Sequence, residues 1–142
     1  MLVFQTIAKL PQPYRHLEKN KLWARRKKRH CDNHNGFDGI KWFRLVGPAG
    51  TQIPSPSAPE MKYRVSSGIC GTSAAAWMEG NHPEFGDGLV TTKICFPFHD
   101  EVCFNGDSLS TNIAACIDNY GNRFYVYQFQ PTYVCTFAYC GL

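Results

Sequence analysis

The residues of this sequence best equipped for covalent chemistry are two cysteines and two histidines. Cys70 stands in a Cys-Gly-Thr-Ser context and precedes His82, while Cys116 and His99 form a second combination of the same kind. A cysteine becomes a nucleophile when a neighbouring base or positive charge stabilises its thiolate, so either cysteine with either histidine would suit a cysteine-dependent enzyme. No known nucleophile motif surrounds them, however, and a histidine before proline, as in His82-Pro83, is more typical of a structural turn.

The seven cysteines also favour a different chemistry, covalent cross-linking. No two of them stand in a Cys-x-x-Cys pair, the spacing at which a short turn aims two thiolates at one zinc ion. Disulfides persist in oxidising compartments, so this cysteine content indicates a secreted or cell-surface protein. The residues alone leave open whether Cys70 is a nucleophile or one end of a disulfide.

Candidate metal ligands are few and poorly spaced. The mixed group near the first cysteine consists of His30, Cys31, Asp32 and His34. This group lacks the second ligand pair of a zinc site. Asp38 in Gly-Phe-Asp-Gly and Asp87 in Gly-Asp-Gly lack the alternating oxygens and terminal Glu of a calcium loop, and both stretches are typical of turns. We therefore expect no metal, no cofactor and no catalytic residue.

The charge of the chain divides at residue 31. Residues 1–30 carry nine Lys or Arg and one acid, a net charge of +8, whereas residues 31–142 carry a net charge of −4. The basic run 25–29 would suit a nuclear localisation signal, a binding site for nucleic acid or heparin, or a proteolytic processing site. It is more typical of a solvated loop. We expect residues 1–30 to be a basic, poorly ordered segment, of which 1–12 is not native domain sequence. We expect 31–142 to be the domain, with no nucleic-acid partner.

The N-terminus does not resemble a signal peptide, because Gln5 and Lys9 interrupt its apolar run and no small-residue cleavage site follows. No stretch approaches the roughly 18 uninterrupted apolar residues that span a membrane. The cysteines nevertheless indicate an extracellular protein, so we expect the chain to be a fragment of a larger secreted or surface protein. It contains no Asn-x-Ser/Thr sequence, which predicts that it carries no N-linked glycan.

Beyond residue 31, short apolar segments alternate with turn residues. Segments rich in Val, Ile, Thr and aromatic residues predict strands at 41–47, 88–96, 123–129 and 132–140. Both faces of segment 123–129 are largely apolar, so this strand should be central or packed on two sides. Only 73–80, rich in alanine, has the composition of a helix. The sequence predicts a mainly β domain with one short helix.

Four motifs give the chain a family resemblance. They are Trp-Phe-Arg, Cys-Gly-Thr, Trp-x-x-Gly-x-His-Pro and Gly-x-Gly-x-Val-Thr, followed by a closing Tyr-Cys. In this order and spacing they resemble the cysteine-rich domain, with eight or ten cysteines, of the family of uromodulin, the zymogen-granule membrane glycoprotein and the liver-specific zona-pellucida protein. The resemblance covers residues 31–141. It implies a non-enzymatic extracellular module for binding or adhesion, with a protein or a glycan as its ligand.

The resemblance also implies which cysteines pair. The implied disulfides are Cys31–Cys135, Cys70–Cys140 and Cys95–Cys103. Cys70 is then one end of a disulfide, and Cys116 is unpaired because its family partner would precede Cys31. We expect Cys116 to lie on a surface that a missing N-terminal strand would cover.

The chain departs from the family pattern at two places. Ser57 and Val102 replace two family cysteines that bond to each other. Both ends of that bond are lost together, so no stray thiol remains, and we expect the two Cβ atoms to lie about 4 to 6 Å apart. Compared with the family pattern, residues 60–68 lengthen the link to the Cys-Gly-Thr motif, and the sequence leaves open whether this apparent insertion is a surface loop or an error in the gene model.

Overall fold

The computed structural model describes residues 7–12, 15, 32, 36–56, 70, 74–97, 103, 109–135 and 137–142. Eight strands lie within these residues: β1 Ile7–Leu10, β2 Trp42–Leu45, β3 Ala74–Ala75, β4 Trp77–Met78, β5 Leu89–Cys95, β6 Leu109–Ile117, β7 Arg123–Tyr127 and β8 Phe137–Ala138. The larger sheet has six strands in the order β1-β2-β7-β6-β5-β4, and the smaller sheet pairs β3 with β8. The prediction of a mainly β domain is confirmed.

Several predicted features lie outside the described residues. They are the basic run 25–29, the insertion 60–68, His30, Cys31, His34, Ser57, His99 and Val102. Among the residues that are described, no helix is long and apolar enough to cross a membrane.

Three of the four predicted strands are confirmed, as β2, β5 and β7. β7 lies between β2 and β6, which agrees with its expected central position. Tyr127, opposite Phe43 of β2 and Ile113 of β6, points into the main core. Val126, on the other face, packs with Ala114 in a smaller cluster. Successive side chains of a strand point to opposite faces, so the end of β7 is buried on both faces of the sheet.

The predicted helix at 73–80 is wrong. Its described residues form β3 and β4 instead, and all five side chains from Ala74 to Met78 are buried. Alanine favours a helix only when packing does not decide otherwise. Here Ala74 and Ala75 pair with β8, while Trp77 and Met78 pair with β5. Small side chains suit this position because each face of the segment touches another part of the protein.

The predicted strand 132–140 is also largely wrong, because Phe137–Ala138 is the only strand among its described residues, 132–135 and 137–140. The preceding residues turn instead, with the Thr132 hydroxyl donating to the Val134 carbonyl at 2.8 Å and the Phe137 N–H donating to the same carbonyl at 3.0 Å. A hydroxyl that bonds nearby backbone competes with the hydrogen bonds of a sheet. The β-branched and aromatic residues of this segment therefore do not form a long strand.

The N-terminal segment is more ordered than the sequence predicts. Ile7–Leu10 forms β1, which pairs in parallel with β2, and Leu10 is buried in the main core. Arg15 is also buried, with only 1% of its surface exposed. The expected poor order of residues 1–30 is therefore wrong for residues 7–10 and for Arg15, and the domain boundary at residue 31 remains a prediction.

The end of the chain packs tightly against the turn that follows β2. The Leu142 N–H donates to the Gln52 carbonyl at 2.8 Å, and the Thr51 N–H donates to the Leu142 carbonyl at 2.7 Å. Gly50, with a φ of +85°, sits so close that an added Cβ would lie 2.7 Å from Leu142 backbone atoms. This position needs glycine both for its left-handed backbone and for lack of space.

We expect Gly50→Ala to destabilise the domain by about 2–3 kcal/mol, from backbone strain and from the collision with Leu142. Gly86→Ala is the matched control, because Gly86 also has a positive φ of +106° but nothing within 4 Å of an added Cβ. It should cost only about 1 kcal/mol, from strain alone. Urea denaturation measures both, and equal losses would contradict the packing argument.

Candidate functional site

Cys70, the candidate nucleophile of the Cys-Gly-Thr motif, forms a disulfide with Cys140, with a Cα–Cα distance of 6.5 Å. Both cysteines are fully buried and pack with Ala75 and Ala138, the residues that pair β3 with β8. A sulfur held in a disulfide cannot form a thiolate. The bond therefore fastens the smaller sheet, and Cys70 has no sulfur available for attack.

The second disulfide, Cys95–Cys103, closes a short loop with a sequence separation of 8 residues and a Cα–Cα distance of 4.9 Å. Glu79 Oε1 lies 3.0 Å from Cys95 Sγ, and these three residues are the one group among the described residues with the spacing of metal ligands. Zinc binds cysteine as thiolate, so the disulfide removes two of the three ligands. Cys135 is also disulfide-bonded, but Cys31, its expected partner, lies outside the described residues.

Cys116 is the free cysteine of the described part of the chain. It lies on β6 and is 4% exposed, packed with Ala114 and Val126, and Ile7 of β1 packs against the same cluster. Burial raises the pKa of its thiol, although the Arg44 guanidinium opposes that shift. Cys116 is thus covered rather than lying on an open surface, and its thiol is protonated near neutral pH.

His82 is held by two tyrosines of β7. Its ring lies 4.3 Å from that of Tyr125, and its Nε2 is 2.7 Å from the hydroxyl of Tyr127. That hydroxyl also accepts the Ile53 N–H at 3.2 Å, so its own proton can be donated to Nε2. Burial lowers the pKa of His82 to about 4, so the ring is neutral at ordinary pH. The predicted structural role of His82 agrees with these contacts.

His82 and Cys116 lie on opposite faces of the larger sheet. His82 contacts Tyr125 and Tyr127, whereas Cys116 pairs with Phe124, which points to the other face of β7. Side chains of odd and even positions on a strand point in opposite directions. The sheet itself therefore separates the thiol from the imidazole, and they cannot act as a nucleophile and its base.

His82 gives the domain a predictable sensitivity to acid. Because its pKa is lowered from 6.5 to about 4 on folding, the unfolded chain takes up the proton first as the pH falls. The free energy of unfolding should be unaffected above pH 6.5 and should fall between pH 6.5 and 4, by about 2–3 kcal/mol in total.

Urea denaturation at a series of pH values tests this expectation. The variant His82→Gln keeps a hydrogen-bond acceptor for Tyr127 but cannot take up a proton in this range. Its stability should therefore vary much less between pH 6.5 and 4. An unchanged pH dependence in the variant would assign the effect to other groups.

A buried ion pair fastens the N-terminal segment to the end of the chain. The Arg15 guanidinium donates to both carboxylate oxygens of Asp32, at 2.6 and 3.0 Å, and also to the Tyr139 carbonyl at 2.9 Å. The Tyr139 N–H donates back to Asp32 at 2.9 Å. Both charged side chains are essentially unexposed. Asp32 was considered above as a metal ligand, but its carboxylate is engaged by Arg15.

The two aspartates in glycine-rich stretches organise turns, as predicted. Asp38 accepts hydrogen bonds from the Ile40 and Lys41 N–H groups, both at 2.9 Å. These backbone donors hold the pKa of Asp38 below its usual value. Asp87 accepts from the Glu84 N–H at 2.8 Å. In both cases the carboxylate stabilises a turn, as Asx side chains commonly do.

That second turn places an aromatic ring against the larger sheet. Phe85 stacks on Tyr125 of β7 with ring centroids 5.9 Å apart, and the Arg123 guanidinium lies over Phe85 at 4.6 Å. Both rings are half-buried and Arg123 is exposed. We call Phe85, Arg123, Tyr125 and Glu84 the Tyr125 platform. The platform could not be predicted from the sequence, because the turn and the strand lie almost forty residues apart.

Disulfides hold the β-strands of this domain in place, and the described residues do not bring a nucleophile and a base together. These features define a structural module of the kind found in secreted and cell-surface proteins. The uromodulin-like domain family matches residues 43–141, and the chain belongs to this family. The resemblance described from the motifs is thereby confirmed.

The curated relatives are much longer glycoproteins. The pancreatic secretory granule membrane major glycoprotein GP2 of Rattus norvegicus is 34% identical over 110 residues, covering 78% of this chain and 18% of the relative. GP2 of Mus musculus is 33% identical over 99 residues, with coverages of 70% and 17%. Uromodulin of Mus musculus is 27% identical over 99 residues, with coverages of 70% and 13%. The chain thus spans less than a fifth of each relative, and the relatives are extracellular or surface proteins, as predicted for this chain.

Proposed function

We propose that this protein is a non-enzymatic extracellular module for binding or adhesion and forms one domain of a larger secreted or surface protein. The proposal rests chiefly on the Cys70–Cys140 disulfide. The sulfur of Cys70, the cysteine of the Cys-Gly-Thr motif, is held in this bond and is not available as a nucleophile. The separation of Cys116 from His82 by the sheet supports the same conclusion. Family membership supports an extracellular setting.

Binding is tested with the oxidised domain, multimerised on a fluorescent carrier and applied to cells and to wells coated with extracellular matrix. We expect saturable binding that the unlabelled domain competes away. A sample that has been reduced and alkylated is the control, and it should lose binding because the disulfides hold the sheets together. The absence of saturable binding from every surface would overturn the proposed function.

The alternative of a cysteine-dependent enzyme is tested by counting thiols. We expect one free thiol per chain, that of Cys116, reacting slowly in the native protein and quickly in denaturant because it is buried. A broad panel of hydrolase substrates should show no turnover. Turnover that disappears when native thiols are alkylated would contradict the non-enzymatic assignment.

A further inference from the structure

The two cysteines of the Cys95–Cys103 disulfide are unequally exposed. Cys95, at the end of β5, is 1% exposed, whereas Cys103 is half-buried. Cys70 and Cys140 are both fully buried. A thiolate opens a disulfide by attacking one of its two sulfurs, so access determines which sulfur reacts. Of these four residues, Cys103 is the one that a small thiol reaches most easily.

A carboxylate lies directly beside this disulfide. Glu79 Oε1 is 3.0 Å from Cys95 Sγ and 3.7 Å from Cys103 Sγ. Glu79 directly follows β4, and its N–H donates to the Lys93 carbonyl at 2.9 Å, which fixes the backbone next to Cys95. A sulfur in a disulfide carries no proton, so neither contact is a hydrogen bond. The carboxylate is thus an acceptor placed for a donor that exists only when Cys95 is a thiol.

We propose that Cys103 is a modification site that takes up a low-molecular-weight thiol, such as free cysteine, as a mixed disulfide. The thiolate of the small molecule attacks Cys103 Sγ and forms a new S–S bond with it. The Cys95–Cys103 bond breaks, its electron pair passes to Cys95 Sγ, and that sulfur takes up a proton from water. One disulfide is replaced by another, so the exchange needs no oxidant. This site goes beyond the proposed binding function and does not depend on it.

The position of Glu79 stabilises the product of this exchange. The Cys95 thiol donates to the Glu79 carboxylate, and a hydrogen bond to a charged acceptor is stronger than one to a neutral acceptor. The carboxylate also disfavours a second negative charge on the neighbouring sulfur, so Cys95 stays protonated and is slow to attack the new disulfide. The same charge slows the forward attack. Glu79 therefore increases the amount of adduct at equilibrium rather than the rate at which it forms.

Peptide mapping after exposure to free cysteine tests the site. The oxidised protein is equilibrated with increasing concentrations of cysteine near neutral pH and quenched with acid, which removes the reactive thiolates. Free thiols are then alkylated, and unreduced peptides are identified by mass spectrometry. We expect a cysteinyl adduct on Cys103 and an alkylated thiol on Cys95, at concentrations that leave the Cys70–Cys140 bond intact.

The variant Glu79→Gln tests the role of the carboxylate. Glutamine keeps an acceptor of similar shape but lacks the charge, so the fraction of adduct at a fixed cysteine concentration should fall by about fivefold. Exchange should reach equilibrium sooner, because Cys95 then leaves more easily as a thiolate. Glu84→Gln is the matched control, since it removes an exposed carboxylate that lies near Tyr125 instead, and it should behave like the native protein.

Three outcomes would overturn the proposal. The first is an adduct on Cys95 with Cys103 left as the free thiol. The second is the lack of any adduct on Cys103 below the cysteine concentration that opens Cys70–Cys140. The third is an equal response of Glu79→Gln and Glu84→Gln. Circular dichroism of the modified protein should retain the β signal, and its loss would show that the exchange reflects unfolding and not a site of the folded domain.

Discussion

Replacing Arg15 with methionine should destabilise the domain by about 3–5 kcal/mol, because it leaves the carboxylate of Asp32 buried without its cation. Arg15 is 1% exposed and Asp32 is fully buried, so water cannot replace the lost guanidinium. The same substitution removes the hydrogen bond to the Tyr139 carbonyl, which ties the N-terminal segment to the end of the chain. The midpoint of urea denaturation, followed by tryptophan fluorescence, measures the loss.

The exposed pair Lys41–Asp38 provides the matched control. Its charged atoms are 4.0 Å apart and its side chains are 65% and 41% exposed, so Lys41→Met should cost less than about 1 kcal/mol. Arg15→Lys keeps the positive charge but loses the bidentate hydrogen bonding to Asp32. Its loss of stability should lie between those of Arg15→Met and Lys41→Met. A loss for Arg15→Met no larger than that for Lys41→Met would show that the buried pair contributes little.

Removing the Cys70–Cys140 disulfide should have an effect of similar size. The double variant Cys70→Ala/Cys140→Ala opens a loop with a sequence separation of 70 residues. In the chain-entropy treatment a loop of this size contributes about 4.4 kcal/mol, because the cross-link restricts the unfolded chain. We expect the urea midpoint to fall accordingly, with the domain unfolded or nearly so at 37 °C.

Cys95→Ala/Cys103→Ala is the comparison, since its loop has a sequence separation of only 8 residues. The same treatment gives about 2.6 kcal/mol for the shorter loop. Calorimetry of the two double variants against the native protein tests the order. A larger loss from the short loop would mean that local packing around Cys95, rather than chain entropy, determines the contribution of the bond.

Much of the fold could be predicted from the sequence where composition and packing agree. β2, β5 and β7 contain branched and aromatic residues, and each forms a strand that packs against the core. β6 was missed because Ser, Asn and Ala have little preference for strands, although it is the longest strand described. Over its first five residues, buried Leu109, Thr111 and Ile113 alternate with the more exposed Ser110 and Asn112, which is the pattern of a strand.

The interior contacts could not be predicted in the same way. Arginine and aspartate are usually exposed to solvent, and only the fold brings Arg15 and Asp32 together in the interior. The spacing of the cysteines favours cross-links but does not determine which cysteines pair, so the pairings came from the family resemblance. The Tyr125 platform likewise depends on a turn and a strand that meet only in the folded chain.

The arrangement of the larger sheet has a consequence for how the chain folds. β5, β6 and β7 follow one another in sequence and pair as antiparallel neighbours, with only five residues between β6 and β7. Pairings between nearby segments form with little loss of chain entropy, so we expect this meander to be the folding nucleus. β1 pairs with β2 in parallel across more than thirty residues, which requires a much longer loop to close. During oxidative folding the edge strand should therefore dock late, after the cysteines of the meander are already in place.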